Sequence, residues 1–282
     1  MNKPIVVGAI IAIIGISFFA FDGSSDSDED ATTQTGNPTS TTVTDSGSSN
    51  SDSQSSSSSE VPSSSSSNSP SVDSPSGNRP FDGEQLYKVV LPSVATLKVD
   101  HGDGTGSIGT GFLAYEDGIV VTAWHVVDGA KSVFAKFADG DEVECSGLIA
   151  KDVEQDIAII KIEHSSRRLL PLENARPAIG SRAFIVGAPK GREFSFSDGT
   201  VSQNESMEFR RYGIPTRRET IQFNCSASPG NSGGPLFDSN GVVRGIVSFQ
   251  YTEGQNLNFA IPMSLASKLD RTADVIPWDQ VR

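Results

Sequence analysis

Ser232 lies in SPGNSGGPLF (residues 228–237), where three glycines and two prolines fall within ten positions. That composition marks a tight loop between strands. A serine hydroxyl is barely ionised at neutral pH and attacks a carbonyl only when a base takes its proton. The chain has three histidines. His101 lies in the polar, glycine-rich DHGDGTGS and His164 in the turn EHSSRR, both settings for an exposed loop residue. His125 differs, because GIVVTAWHVV places it at the end of an apolar strand. An imidazole can accept the serine proton and return it to a leaving amine, since its pKa lies near the working pH. Asp156 heads the apolar run of DIAIIKI, where a carboxylate is costly unless paired. Asp152, in AKDVEQ, has a more polar setting. A buried carboxylate would hold the imidazole in one tautomer and stabilise its cation. Taken singly, these are a turn serine, a core histidine and a strand-start acid. Together they are the parts of an acyl-transfer site.

The same loop can supply the remaining requirement, fixed donors for a tetrahedral oxyanion. Gly230 permits an unusual backbone conformation, so its N–H and that of Ser232 can converge on one point. Gly233 and Gly234 leave room for a substrate main chain. There is no phosphate-type glycine loop and no Cys/His set at metal spacing, so neither a cofactor nor a metal is expected.

The elements that must position these residues occupy only part of the 282-residue chain. Residues 22–80 hold 23 serines, nine acids and one arginine, with no aromatic residue. Such a segment cannot bury enough apolar surface to offset its chain entropy and is expected to be disordered. Ahead of it, Lys3 precedes an uncharged run from Pro4 to Phe21 that ends at Asp22. This run is near the lower limit for spanning a bilayer and long for a secretory signal. With Phe18 two positions before Ala20, a small-x-small cleavage site is poorly formed. Residues 1–21 therefore read as an uncleaved membrane anchor in preference to a cleaved signal, and either one exports the rest of the chain.

Residues 81–282 are expected to fold as one unit of about 200 residues, enough for a sizeable core. The net charge of −13 excludes the clustered basic footprint of a nucleic-acid binder. Leu86, Val89 and Val90 are spaced for a short helix ended by Pro92. Thereafter come short β-branched runs separated by Gly, Asp-Gly and Asn-Gly breaks, from SVATLKV through GTGFLAYEDGIVVTAW and DIAIIKIE to LNFAIP. They predict hairpins in an all-β sandwich or pair of barrels, with no helical period until PMSLASKLD. Cys145 and Cys225 are too few for a disulfide framework; one bridge and two buried thiols both remain open.

The order His125, Asp156, Ser232, with gaps of 31 and 76 residues, carries a resemblance. TAWHVV, DIAIIKI and GNSGGPLF resemble the three catalytic blocks of chymotrypsin-fold serine proteases, specifically the HtrA/Deg branch. LYKVVLPSVATLKV resembles the opening helix and strand of that branch, GTGF its first hairpin and LNFAIP its closing strand. The likeness spans about residues 84–270. It implies two six-stranded β-barrels, His125 and Asp156 in the first and Ser232 in the second, with the site in the cleft between them. It implies an endopeptidase acting on unfolded or exposed polypeptide through an acyl-enzyme, and a homotrimer with Phe81 a candidate contact. The alternative is a catalytically inactive relative serving as a binding or chaperone-like module, which the presence of all three residues disfavours.

Departures from that branch also shape expectation. The chain stops 20 residues past Pro262, too few for the PDZ domain that usually follows. Asn231 in place of Asp removes the ion pair by which trypsin-like zymogens respond to a new N-terminus. Control is therefore expected in loop ordering, with PKGREFSFSDGTVSQNESMEFRRYGIPTRR the mobile region and its arginines a solvated set. Ser226, six residues before Ser232, matches the base of the primary specificity pocket. With no carboxylate there, small or medium apolar side chains are the expected substrates. GIVSFQ resembles the strand that pairs with bound substrate, with Ser248 to Gln250 supplying backbone and Phe249 packing on the barrel or lining the cleft.

Overall fold

A computed structural model describes residues 80–163, 165–211, 214–250 and 255–281. The expectations for residues 1–21 and 22–79, and His164, lie outside these residues. Among the described residues no helix is long and apolar enough to cross a membrane.

The fold opens with α1 (Gly83–Val90). Asp82 caps it: its carboxylate accepts Gln85 N–H at 2.8 Å, and the Gln85 side chain accepts Asp82 N–H at 3.3 Å. This reciprocal pair satisfies two donors that the first helical turn would otherwise leave open. Leu86 and Val90 form the buried face.

Six strands then close a first barrel: β1 (Val94–Asp100), β2 (Gly106–Leu113), β3 (Ile119–Thr122), β4 (Ser132–Phe137), β5 (Glu142–Asp152) and β6 (Ile157–Ile162), in the spatial order β1-β2-β3-β6-β5-β4. A second closed barrel repeats the permutation as β7-β8-β9-β12-β11-β10. Its strands are β7 (Arg182–Gly187), β8 (Ser195–Arg211), β9 (Ile214–Phe223), β10 (Pro235–Phe237), β11 (Val243–Gln250) and β12 (Asn258–Pro262). Closure removes the sheet edges that would otherwise invite pairing with another chain.

Strand alternation explains why several runs are apolar throughout. In β6, Ala158, Ile160 and Ile162 point into the first barrel, where they meet Leu97, Val120 and Phe137. Ile157 points the other way, into a seam with Phe112 and Val121 of the first barrel, Phe184, Phe237 and Ile246 of the second, and Leu86 of α1. Each such side chain, taken wholly out of water, contributes about 1.5–3 kcal/mol before entropy is charged against it. The seam thus locks the two barrels in one arrangement, and the site lies along it.

A C-terminal strap adds a tie that sequence pattern did not suggest. Ile276 exchanges backbone hydrogen bonds with Leu148 of β5 (2.9 and 2.7 Å). Trp278 is buried in the first barrel's core and donates its indole N–H to the Cys145 carbonyl at 2.7 Å. Gly147 makes room, since a Cβ there would lie 2.2 Å from the Ile276 carbonyl oxygen. The question left open for the cysteines resolves to two buried thiols, Cys145 in the first barrel and Cys225 in the second.

Two local expectations are corrected. Within the region expected to be mobile, 189–218, residues 195–211 and 214–218 are not a loop but parts of the two arms of a long hairpin, β8–β9, paired out to Arg211↔Ile214. Its polar, charged outer half lacks the apolar alternation by which strands are usually recognised. His125 does not end a strand. β3 stops at Thr122, and His125 sits on α2 (Trp124–Val127), a single helical turn too short to show a period. α3 (Met263–Ala266) follows β12 where a helix was expected.

Candidate active site

The seam brings His125, Asp156 and Ser232 together from three separate connections. His125 enters on α2, and its ring is anchored from below. The Asp156 carboxylate accepts His125 Nδ1–H at 2.7 Å through Oδ2 and His125 backbone N–H at 2.9 Å through Oδ1. Two bonds to one carboxylate fix both the ring plane and the tautomer, leaving Nε2 as the nitrogen without a proton in the neutral ring.

Asp156 stands at the entry to β6 in a left-handed backbone conformation, φ 62°. For a residue with a Cβ that costs on the order of 1–3 kcal/mol and persists only when its surroundings hold it. They do so here. The Asp156 carbonyl accepts Trp124 N–H at 3.2 Å, and the carboxylate, 3% exposed, also accepts Ser248 Oγ–H at 2.5 Å. Burial pushes this carboxyl up. The His125 charge and hydrogen bond, the nearby Arg218 guanidinium and the Ser248 hydroxyl outweigh it and bring the pKa down to about 2.

Ser248 falls where β11 shifts register against β12, between Val247 and Phe249. A bulge of this kind re-aims a side chain. The hydroxyl reaches Asp156, and the Ser248 carbonyl accepts the Ser232 hydroxyl at 3.2 Å. Among the described residues no hydrogen bond joins Ser232 Oγ to His125.

The loop carrying Ser232 is built on glycines for which a side chain has no room. A Cβ on Gly230 (φ 103°) would lie 2.0 Å from the Ala188 carbonyl oxygen, and one on Gly233 (φ 84°) 2.1 Å from Thr122 Oγ1. Asn231 N–H is used, donating to the Ser228 carbonyl at 3.0 Å. Among the described residues the N–H groups of Gly230 and Ser232 on either side have no acceptor. A pair of unused donors separated by one used donor can receive a developing oxyanion.

Thr110 on β2 fastens this loop to the first barrel. Its N–H donates to the Ser232 carbonyl (2.9 Å), and its hydroxyl donates to the Gly230 carbonyl (2.6 Å). The same oxygen accepts Ala188 N–H at 3.2 Å. Sequence reading took GTGF only as a hairpin; a buried threonine between glycines was the available signal. The Ser248 hydroxyl was likewise missed, because a bulge cannot be read from one strand alone.

The residues expected to contact substrate have mixed settings. Ser226 is exposed on the segment entering the loop, rather than sunk at the floor of a buried pocket. Phe249 is half-buried and stacks on Phe259 of β12, with ring centroids 4.8 Å apart and planes 9° from parallel. Gln250 pairs with Asn258. β10 pairs with β11 only as far as Ile246, so Ser248 to Gln250 run on beyond it with β12 on one side. His101 stays apart from the site, its ring bonded to Ser107 Oγ at 3.1 Å. Among the described residues no group of His, Cys, Asp and Glu is arranged to hold a metal.

GNSGG also fits the G-x-S-x-G pattern of a strand-to-helix elbow, but here the loop joins antiparallel strands of a barrel. Residues 109–246 match the trypsin-like peptidase domain, and this is the class that the paired barrels and the site define. Among curated proteins, a probable periplasmic serine endoprotease DegP-like from Halomonas elongata is 33% identical over 59% of this chain and 35% of its own length. A putative serine protease HhoB from Synechocystis is 31% identical over 71% of this chain and 46% of its own. The chain thus spans about a third to a half of the relatives it matches. Among solved structures, an HtrA-type protease determined with a tripeptide is 27% identical, with a TM-score of 0.58 over 67% of this chain and 62% of that one. The fold of a serine endoprotease from Yersinia pestis also matches, at 24% identity and a TM-score of 0.58 over 68% and 66% of the two chains. The chain thus carries a trypsin-like peptidase domain, over which it is similar to serine proteases of the HtrA/Deg type.

Proposed function

We propose that residues 81–282 form a serine endopeptidase domain in which Ser232 is the nucleophile, His125 the general base and acid, and Asp156 the group that orients and stabilises His125. The observation that carries this reading is the His125–Asp156 pair, 2.7 Å apart, facing a loop whose Gly230 and Ser232 N–H groups are unengaged. Ser232 Oγ adds to the scissile carbonyl as its proton passes to His125 Nε2. The oxyanion is held by the two N–H groups. His125 then protonates the departing amine, and water repeats the sequence on the acyl-enzyme.

The substrate is an extended segment of unfolded or exposed polypeptide, lying beside Ser248 to Gln250 as an added strand. The segment entering the Ser232 loop carries the exposed Ser226 and no carboxylate, so small or medium apolar side chains are preferred over Lys or Arg. The periplasmic relatives and the apolar run at 4–21 support action outside the cytoplasm, on a domain tethered to the membrane or released from it. Assembly as a homotrimer belongs to the same reading, although Phe81 already packs within its own chain against Gly241.

The full chain incubated with casein should cleave it, and Ser232→Ala should not. Equal cleavage by both proteins would overturn the assignment. A wild type that neither cleaves nor reacts at Ser232 with a fluorophosphonate would instead favour an inactive binding module.

A further inference from the structure

Adjacent arginines on β9 point in opposite directions, as strand geometry requires. Arg217 is exposed and donates to Ser206 Oγ across the hairpin at 2.7 Å. Arg218 is buried, 9% exposed. Its Nε–H donates to the Glu154 carbonyl at 2.5 Å, and Nη1 lies 4.0 Å from Asp156 Oδ2. Gln155 returns the contact, donating from Nε2 to the Arg217 carbonyl at 3.1 Å. The outer part of the β8–β9 hairpin, in the second barrel, therefore grips the turn 152–156 of the first barrel at two consecutive residues of β9. That turn ends in the left-handed Asp156.

We propose that Arg218 is a positioning residue for the His125–Asp156 pair, holding the Asp156 turn through Glu154 and drawing part of the carboxylate's charge away from His125. The inference rests on the proposed role of that pair. An arginine suits both tasks, because its fork can donate to a carbonyl with one nitrogen while another faces a carboxylate. Among the described residues, the other charged groups on the elements around the pair include Lys151 of β5, its ammonium over the Trp124 ring at 4.0 Å, Asp152 and Glu154 at the turn, Asp128 following α2, Lys161 of β6, Arg217 and Glu219 of β9, and Glu205 and Glu208 of β8. Arg218 is the cation that reaches the Asp156 carboxylate.

The consequence is a definite direction. A carboxylate shared with a guanidinium stabilises the imidazolium less than one that is not shared. Removing the Arg218 charge leaves the whole carboxylate charge to favour the imidazolium, and since the neutral ring is the active base, the acid limb of kcat/KM should move to higher pH. A purely structural arginine would lower activity without moving the limb.

The test compares the full-length wild type with Arg218→Gln, Arg218→Met, which fills the volume without leaving a polar group unpaired, and Arg218→Lys, which keeps the charge. With three histidines in the chain, ring titration can be followed by NMR alongside the pH profile on a peptide substrate. In whichever neutral variant folds, the His125 titration and the acid limb should both rise by about half a unit to one unit. In the same variant kcat should fall roughly tenfold with little change in KM. Arg218→Lys should titrate closer to the wild type. A His125 titration unchanged in the neutral variants would overturn the proposal. Failure of the protease reading would appear separately, as a wild type without cleavage, while the NMR titration would still report on Arg218.

Discussion

The Ser248 hydroxyl lies 2.5 Å from Asp156 Oδ2, joining the second barrel to a carboxylate presented by the first. Through its carbonyl the same residue receives the Ser232 hydroxyl, so one bulge on β11 touches both ends of the proposed relay. Ser248→Ala should leave the buried carboxylate short of a donor. A hydrogen bond to a charged group carries about 1.5–3 kcal/mol. The variant should lose stability on that scale in urea at pH 7, and a midpoint unchanged from the wild type would show the bond to be idle.

Asp156→Asn keeps the shape of the side chain but replaces an acceptor with a group that can donate. His125 Nδ1 would then carry the wrong tautomer for proton transfer at Nε2. A loss in kcat of roughly 10³-fold or more is expected near neutral pH, read on a fluorogenic peptide. A loss under tenfold would remove Asp156 from the mechanism.

Acid stability should show the same carboxylate. Its pKa in the folded chain, about 2, lies below the ordinary value, so ionised Asp156 favours the folded state. That contribution is fully present above about pH 4 and is lost as pH falls toward 2. Stability measured by denaturant should decline across this window less steeply in Asp156→Asn than in the wild type. Parallel curves would place the acid sensitivity elsewhere.

Gly230→Ala places a Cβ where the Ala188 carbonyl oxygen stands 2.0 Å away, at φ 103°. The loop must shift, and with it one of the two oxyanion donors. Activity should fall about 10²–10³-fold, while circular dichroism should report an intact β fold. Retained activity would mean that the oxyanion is bound by other groups.

The two thiols should be silent in the native protein. Burial pushes both Cys145 and Cys225 up to about 12, and each belongs to a packed cluster. A thiol reagent at pH 8 should react with neither until denaturant is added, and then with both. Rapid native labelling would show that one barrel opens under mild conditions.

Much of this architecture was legible from residue order. Alternation and turn signals marked the strands of both barrels, since a strand that buries one face must repeat every second residue. The three residue types of the site stood out because each sat beside an apolar run or a glycine loop that made its polarity costly or purposeful. The polar outer arms of β8 and β9 were read instead as a loop, for they show no apolar alternation. The four residues of α2 were too few to display a period.

Chain order alone therefore determined the chemistry on offer: a serine on a glycine turn, and a histidine and an aspartate beside apolar runs. Only the tertiary structure decided which groups surround that chemistry. Thr110 holds the nucleophile loop, Ser248 reaches Asp156 through a bulge, and Arg218, expected among solvated loop arginines, is buried against the Asp156 turn. Each of these contacts joins one barrel to the other across 60 or more residues of chain. Local periodicity records which face of a strand is buried, but not which partner the fold will bring against it.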